Sequence, residues 1–357
     1  MTKARVFIIA GLIIAGIGSL TYFFADDLGL FEIPLAALQE KYEKPQSRYI
    51  RIDGTEVHYC DEGSGPVIVA LHGIMDSLHT WDGWVHEIGD RCRIIRLDLP
   101  GFGLTGPFAR GDYSREAYVR FLDRFVTSLG LSRFTLAGNS LGGAIAWNYA
   151  LEFPDKVAAM ILIDPAGYPL DIPYPLRLAA IPVIRDAVLW MTPRFIFRMS
   201  VKQVLGDHRK LTDDLVDRFY ELSLRPGNRE ALPVIMDVLT ALNNDPAFSA
   251  RISGIKVPTL LLWGEKDHWI PVSQVEQWCR DLPEIHAIIY SGVGHVPQME
   301  IPEQSAADVH KWLAVQAAAE KEPFSRAVMW RMALAIGIVS AASASGFAVY
   351  RRRKRRA

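Results

Sequence analysis

Phe134-Thr-Leu-Ala-Gly138-Asn139-Ser140-Leu141-Gly142-Gly143 is a short apolar run that breaks into Gly-x-Ser-x-Gly. Apolar residues then recur at helical spacing through Ile145, Trp147 and Tyr149, so the stretch predicts a strand, a sharp turn and a helix in that order. Such a turn forces the serine into a strained conformation with its hydroxyl exposed, and only the smallest residues fit two positions either side of it. A Gly-rich turn that merely contains a serine is the rival reading. The strand before and the helix after make Ser140 the candidate nucleophile.

A serine hydroxyl attacks only when a base takes its proton, and that base must itself be oriented. Ala287-Ile-Ile-Tyr-Ser-Gly-Val-Gly294-His295 reads as a strand running into a Gly-flanked loop that presents His295. Val257-Pro-Thr-Leu-Leu-Leu-Trp-Gly264-Glu-Lys-Asp267 reads as a strand whose loop presents Asp267. Glu265 competes with Asp267, as does Asp164, which follows the apolar run Ala159–Ile163. Asp267 is preferred because it lies after the penultimate strand; Asp164 is expected to cap the Pro165-Ala-Gly167 turn. The chain order Ser, Asp, His differs from the chymotrypsin and subtilisin orders. Backbone N–H groups must receive the oxyanion. Leu141, just after the serine at a helix N-terminus, is one candidate donor. Ile74, after the strand and Gly turn of Val67–Gly73, is the other. His72 is expected to be structural, packed under that turn.

These pieces resemble the α/β-hydrolase superfamily in its lipase, esterase and meta-cleavage-product hydrolase branch. The matching motifs are Leu71-His72-Gly73, Asp98-Leu-Pro-Gly101-Phe-Gly103-Leu-Thr105, Gly138-Asn-Ser-Leu-Gly142-Gly143, Trp263-Gly-Glu-Lys-Asp267 and Gly292-Val-Gly294-His295, within residues 48–318. The resemblance implies a mostly parallel eight-stranded sheet with helices on both faces and an inserted helical cap. It implies Ser140 as nucleophile, His295 as general base, Asp267 as orienting acid, and neither a metal nor an organic cofactor. Relatives that open epoxides or remove halide carry Asp at the nucleophile position; Ser here implies an acyl-enzyme. Carbon–carbon hydrolases usually have an aromatic residue after the histidine, where this chain has Val296, so that class stands second to carboxylic ester hydrolysis.

The formal net charge is −1, and the six basic residues Arg351–Arg356 offset a body of −7. No basic surface for nucleic acid is indicated. The three cysteines, Cys60, Cys92 and Cys279, show no metal spacing and read as buried free thiols, a Cys60–Cys92 disulfide being the minor alternative.

Val6–Phe24 is uncharged over about the length of a bilayer span, with Lys3 and Arg5 before it and Asp26 and Asp27 after. Phe23 and Phe24 do not suit a signal-peptidase site, so an uncleaved anchor is expected. Ala327–Tyr350 is a second candidate span, with Gly337, Ala341 and Ser345 on one face for close packing between copies. The basic residues outside each run place both termini in the cytoplasm and the catalytic domain on the far side. An interfacial or soluble helix is the rival for the second run.

The domain reading is 1–27 for the N-terminus and anchor, 28–46 membrane-proximal, 47–167 first part of the hydrolase core, 168–253 helical cap, 254–320 second part of the core, 327–350 second span and 351–357 basic tail. Strands and helices alternate through the core, opened by a hairpin around Asp53-Gly54. An apolar cap and a bilayer tether favour lipid-like or medium-chain esters. A membrane-anchored binding protein that kept the fold is the alternative of another class.

Overall fold

The computed structural model describes residues 25–170, 181 and 191–321. Both apolar terminal runs lie outside these residues. Among the described residues no helix is long and apolar enough to cross a membrane.

Helix α1 (Leu35–Tyr42) leads into the hairpin β1 (Ser47–Ile52) and β2 (Thr55–Gly63), closed by Asp53 and Gly54, both at positive φ. There follow β3 (Val67–Leu71), α2 (Asp82–Ile88), β4 (Arg93–Leu97), α3 (Arg115–Ser128), β5 (Phe134–Asn139), α4 (Leu141–Glu152) and β6 (Val157–Ile163). Helices α5 (Arg194–Val204), α6 (Asp213–Ser223), α7 (Asn228–Asn243) and α8 (Pro246–Ala250) occupy the interval where a cap is expected. The alternation then resumes with β7 (Thr259–Gly264), α9 (Val275–Asp281), β8 (His286–Tyr290), α10 (Pro297–Glu300) and α11 (Pro302–Lys321).

The strands form one eight-stranded sheet in the order β1-β2-β4-β3-β5-β6-β7-β8. β1–β2 and β2–β4 are antiparallel and the remaining pairs parallel. The parallel strands read as continuous apolar runs because both faces are covered. Strand periodicity divides them into two cores. Val69, Leu71, Leu136, Met160, Leu162, Leu261 and Trp263 face one side, and Ile68, Ala70, Ala137, Ile161, Ile163, Leu260 and Leu262 the other. α3 is capped by Ser114, whose side chain accepts the Ala117 N–H, and buries Tyr118, Phe121, Leu122 and Phe125 at helical spacing. α4 is buried on every side from Leu141 to Ala150.

The order of connection reverses at β3, with β4 on one side and β5 on the other. In an open α/β sheet such a reversal leaves a crevice beyond the carboxyl ends of the strands. Ile74, Ser140, Asp164, Asp267 and His295 follow β3, β5, β6, β7 and β8 into that crevice.

The three cysteines are free, as expected, but Cys279 is exposed. The short helix α9 turns Val275 and Trp278 inward and leaves the next position facing solvent.

Candidate active site

Ser140 lies between β5 and α4 at φ 54° and ψ −115°, a left-handed position that costs a non-glycine residue on the order of 1–3 kcal/mol. Surrounding structure holds it there. Its N–H donates to Ile163 O at 3.0 Å, and its carbonyl accepts from Ala144 and Ala166 at 3.0 and 3.2 Å. The flanking glycines are required by space. A Cβ on Gly138 would stand 2.3 Å from Gly142 O, and one on Gly142 would stand 2.3 Å from Leu71 O.

His295 Nδ1 is 2.6 Å from Asp267 Oδ2. Asp267 Oδ1 accepts the N–H groups of Trp269 (2.7 Å) and Ile270 (2.9 Å). The carboxylate can only accept, so Nδ1 carries a proton and Nε2 is left as the basic nitrogen of the neutral ring. That Nε2 is buried without a hydrogen-bond partner among the described residues, and it borders the same cavity as Ser140. The Trp269 ring stacks on the imidazole at 5.7 Å. In unliganded sites the bond between serine and base is often long and closes only on substrate.

Leu141 N–H heads α4, where first-turn amides have no acceptor inside the helix. Ile74 borders both cavities that reach Ser140, and its neighbour Gly73 lies so close that a Cβ would stand 3.1 Å from the Ser140 Cβ. His72 is structural, as expected. Leu99 N–H donates to its Nε2 at 2.9 Å, so Nδ1 is the protonated nitrogen and donates to Gly73 O at 2.7 Å.

Two further residues hold the loops together. Asn139 Nδ2 donates to His295 O (3.0 Å) and Ile163 O (3.1 Å), tying the serine turn to the histidine loop. Buried Glu300 accepts from Gly294, Gly206 and Asp207 at 2.9, 3.0 and 2.7 Å, tying that loop to the cap. Asn139 stood in a quoted motif, yet its partner is 156 residues away. Nothing in the sequence marked Glu300. Asp164 departs from expectation. It does not cap the Pro165 turn: its Oδ1 accepts Gly264 N–H from the neighbouring strand at 3.0 Å. Burial pushes its carboxyl well above the usual range, and adjacent Asp267 adds to the rise.

The cavity on one side of Ser140, of about 120 Å³, is walled by Ile145, Ile235, Leu239 and Phe248, and Arg115 and Asn148 also line it. Phe197, Val201 and Phe219 of the cap line the second, with His295 and Val296.

Ser, His and Asp meet a second time. Ser47 Oγ is 2.6 Å from His58 Nε2, and His58 Nδ1 is 2.7 Å from Asp98 Oδ2. Asp98 also accepts from Leu78 and Leu104 N–H at 2.7 and 2.8 Å, and Ser47 Oγ accepts Lys44 N–H at 2.9 Å. Burial alone would raise the Asp98 carboxyl, but His58 beside it holds it well below the usual range. Neither cavity at Ser140 reaches these three residues.

A parallel sheet with a nucleophile turn and a facing histidine defines the hydrolase class of α/β proteins. The chain belongs to the α/β hydrolase fold family, whose model matches residues 66–302, and it is an enzyme with hydrolase activity. It is 27% identical over 250 residues to a 2-hydroxy-6-oxo-6-phenylhexa-2,4-dienoate hydrolase of Comamonas testosteroni, covering 68% of this chain and 86% of that one. It is 26% identical over 291 residues to an uncharacterized protein of Mycobacterium tuberculosis, covering 77% and 83%. A putative lipase of Acinetobacter baumannii shares the fold with TM-score 0.68 at 25% identity, over 79% of this chain and 96% of that one. A membrane phospholipase A shares it with TM-score 0.67 at 23% identity, over 88% and 99%.

Proposed function

We propose that the protein is a membrane-tethered serine hydrolase that cleaves carboxylic esters with apolar, lipid-like or medium-length acyl chains. The observation that carries this reading is the basic His295 Nε2, buried without a partner and sharing a cavity with the strained Ser140. Ser140 Oγ attacks the acyl carbon as its proton passes to His295 Nε2. The oxyanion takes hydrogen bonds from the Leu141 and Ile74 N–H groups. Collapse expels the alkoxide, which leaves as the alcohol with the proton held on His295. Water, deprotonated by the same nitrogen, then hydrolyses the acyl-enzyme. Asp267 stays ionised and fixes the imidazole tautomer.

The walls of the larger cavity suit an acyl chain. Val296 beside the histidine places carbon–carbon cleavage second. The tether is supported by the apolar run 6–24 and by where the chain goes next. Asp27 O accepts the Arg194 N–H at 2.8 Å, and the Tyr220 hydroxyl donates to Asp26 O, so the residues that follow the run dock on the cap. Phe31, Phe195 and Met199 are exposed, at 58%, 61% and 47%. Positive charge outside both apolar runs supports cytoplasmic termini, with the enzyme on the far side of the bilayer. The small-residue stripe at 337, 341 and 345 supports pairing of copies.

The test is a fluorophosphonate probe followed by p-nitrophenyl esters of increasing chain length, on detergent-solubilised full chain. Labelling at Ser140 and rates that rise toward medium chains are expected. Labelling without ester turnover, together with cleavage of a 2-hydroxy-6-oxo-dienoate, overturns the ester reading. Alkaline phosphatase fused after Glu320 should be active and after Ala357 silent; activity of the second fusion removes the C-terminal span.

A further inference from the structure

Asp164 ends β6 fully buried, in a left-handed conformation with φ 43°. Its Oδ1 is occupied by Gly264 N–H, but its Oδ2 is buried with no partner among the described residues. One ligand atom each from Asp164, Asp267 and His295 falls within 4.8 Å of the other two. The charged groups beside Asp164 are of its own sign, Asp267 against it and Glu300 further off, while the Gly264 N–H pulls the other way. Three N–H groups already point at Asp267, from Trp269, Ile270 and His295, so its oxygens act as acceptors and the proton of the pair belongs on Asp164. Two buried carboxylates this close repel each other when both are charged, and a proton held between them relieves that repulsion.

We propose that Asp164 is a positioning residue for the catalytic pair, a carboxylic acid that donates its Oδ2–H to the Asp267 carboxylate and so fixes that carboxylate for His295. The proton occupies the otherwise orphaned oxygen and removes the repulsion between the two groups. This role rests on the triad reading given above.

Asparagine has the same outline as the protonated acid, with an oxygen for Gly264 N–H and an N–H for Asp267. Isotope-edited infrared difference spectra between the wild-type full chain and Asp164→Asn, both with carbon-13 aspartate, should show a protonated-carboxyl C=O stretch at pH 7 that the variant lacks. The difference isolates Asp164 from buried Asp76, whose carboxyl burial also raises. In ester turnover, Asp164→Ala should lower kcat about tenfold or more with KM little changed, and Asp164→Asn should recover most of that loss. The acidic limb of the Asp164→Asn profile should stay within roughly 0.3 pH unit of wild type. Absence of the band overturns the proposal. So does a downward shift of that limb by about one unit, which would mean that a charge on Asp164 had been supporting the imidazolium. Wild-type kcat in Asp164→Ala overturns it as well. The band is read without substrate, so failure of Ser140 to label leaves it standing and the two readings fail separately.

Discussion

Ser140–His295–Asp267 and Ser47–His58–Asp98 contain the same residue types, and the second set is the more fully bonded, since its serine and its aspartate both reach the histidine. The difference lies in what each leaves unsatisfied. In the Ser47 set every partner is used: the hydroxyl accepts from Lys44, both imidazole nitrogens are engaged, and Asp98 receives two amides and the ring. Ser47 opens a strand of ordinary extended backbone, away from the cavities at Ser140. In the Ser140 set the backbone is strained, Nε2 has no partner among the described residues, and apolar cavities meet at the hydroxyl. A satisfied network stabilises the fold, whereas a network with one open valence at a cavity can take up a substrate's proton and charge.

Removing either half of the open set should have the largest effect. Ser140→Ala or His295→Ala should lower kcat by roughly 10³-fold or more, with far-UV circular dichroism and Tm near wild type. Near-normal turnover in either variant erases the distinction between the two sets. Asp267→Asn should cost somewhat less, about 10²- to 10³-fold in kcat, because it disturbs the ring through its partner.

Asp98→Asn, by contrast, should appear in stability. It should keep ester turnover within a few-fold and lose about 2–4 kcal/mol in urea unfolding at pH 7, since a buried charge with three donors is removed. The folded-state pKa of Asp98 lies below its unfolded value near 3.9, so its ionised form stabilises the fold above about pH 4 and that contribution is lost as pH falls further. The stability gap between wild type and Asp98→Asn should therefore shrink below about pH 4. A gap that widens in acid would place the charge elsewhere. Ser47→Ala should have the smallest effect, about 1 kcal/mol of stability, with fluorophosphonate labelling unchanged. Loss of labelling on that substitution would make the second set functional.

The sequence marks positions that follow from local pattern. Ser140, His295 and Asp267 each stand on a loop just after an apolar strand, and glycines mark all three turns. Gly264 shows how strict such a flank is: a Cβ there would stand 1.8 Å from Gly294 O, where the acid and histidine loops cross. Asn139 and Glu300 stayed hidden because what they hold lies on other loops, as with Asn139 and His295. Asp164 was misread for the same reason. Its nearest turn is local, but its hydrogen-bond partner is Gly264, 100 residues on. The interval 168–253 reads as a break in alternation, and helices α5–α8 lie within it; which of their residues meet Ser140 depends on tertiary packing.

The helices between β6 and β7 also separate Ser140 from His295 in the order of synthesis. Ser140 leaves the ribosome 155 residues before His295. At synthesis rates of about 5–20 residues per second the chain carries its serine for roughly 8–30 s before His295 is made. Through that interval the hydroxyl is an ordinary alcohol. On the triad proposed above, reactivity arrives only when the last strand joins the sheet edge and carries His295 into the crevice.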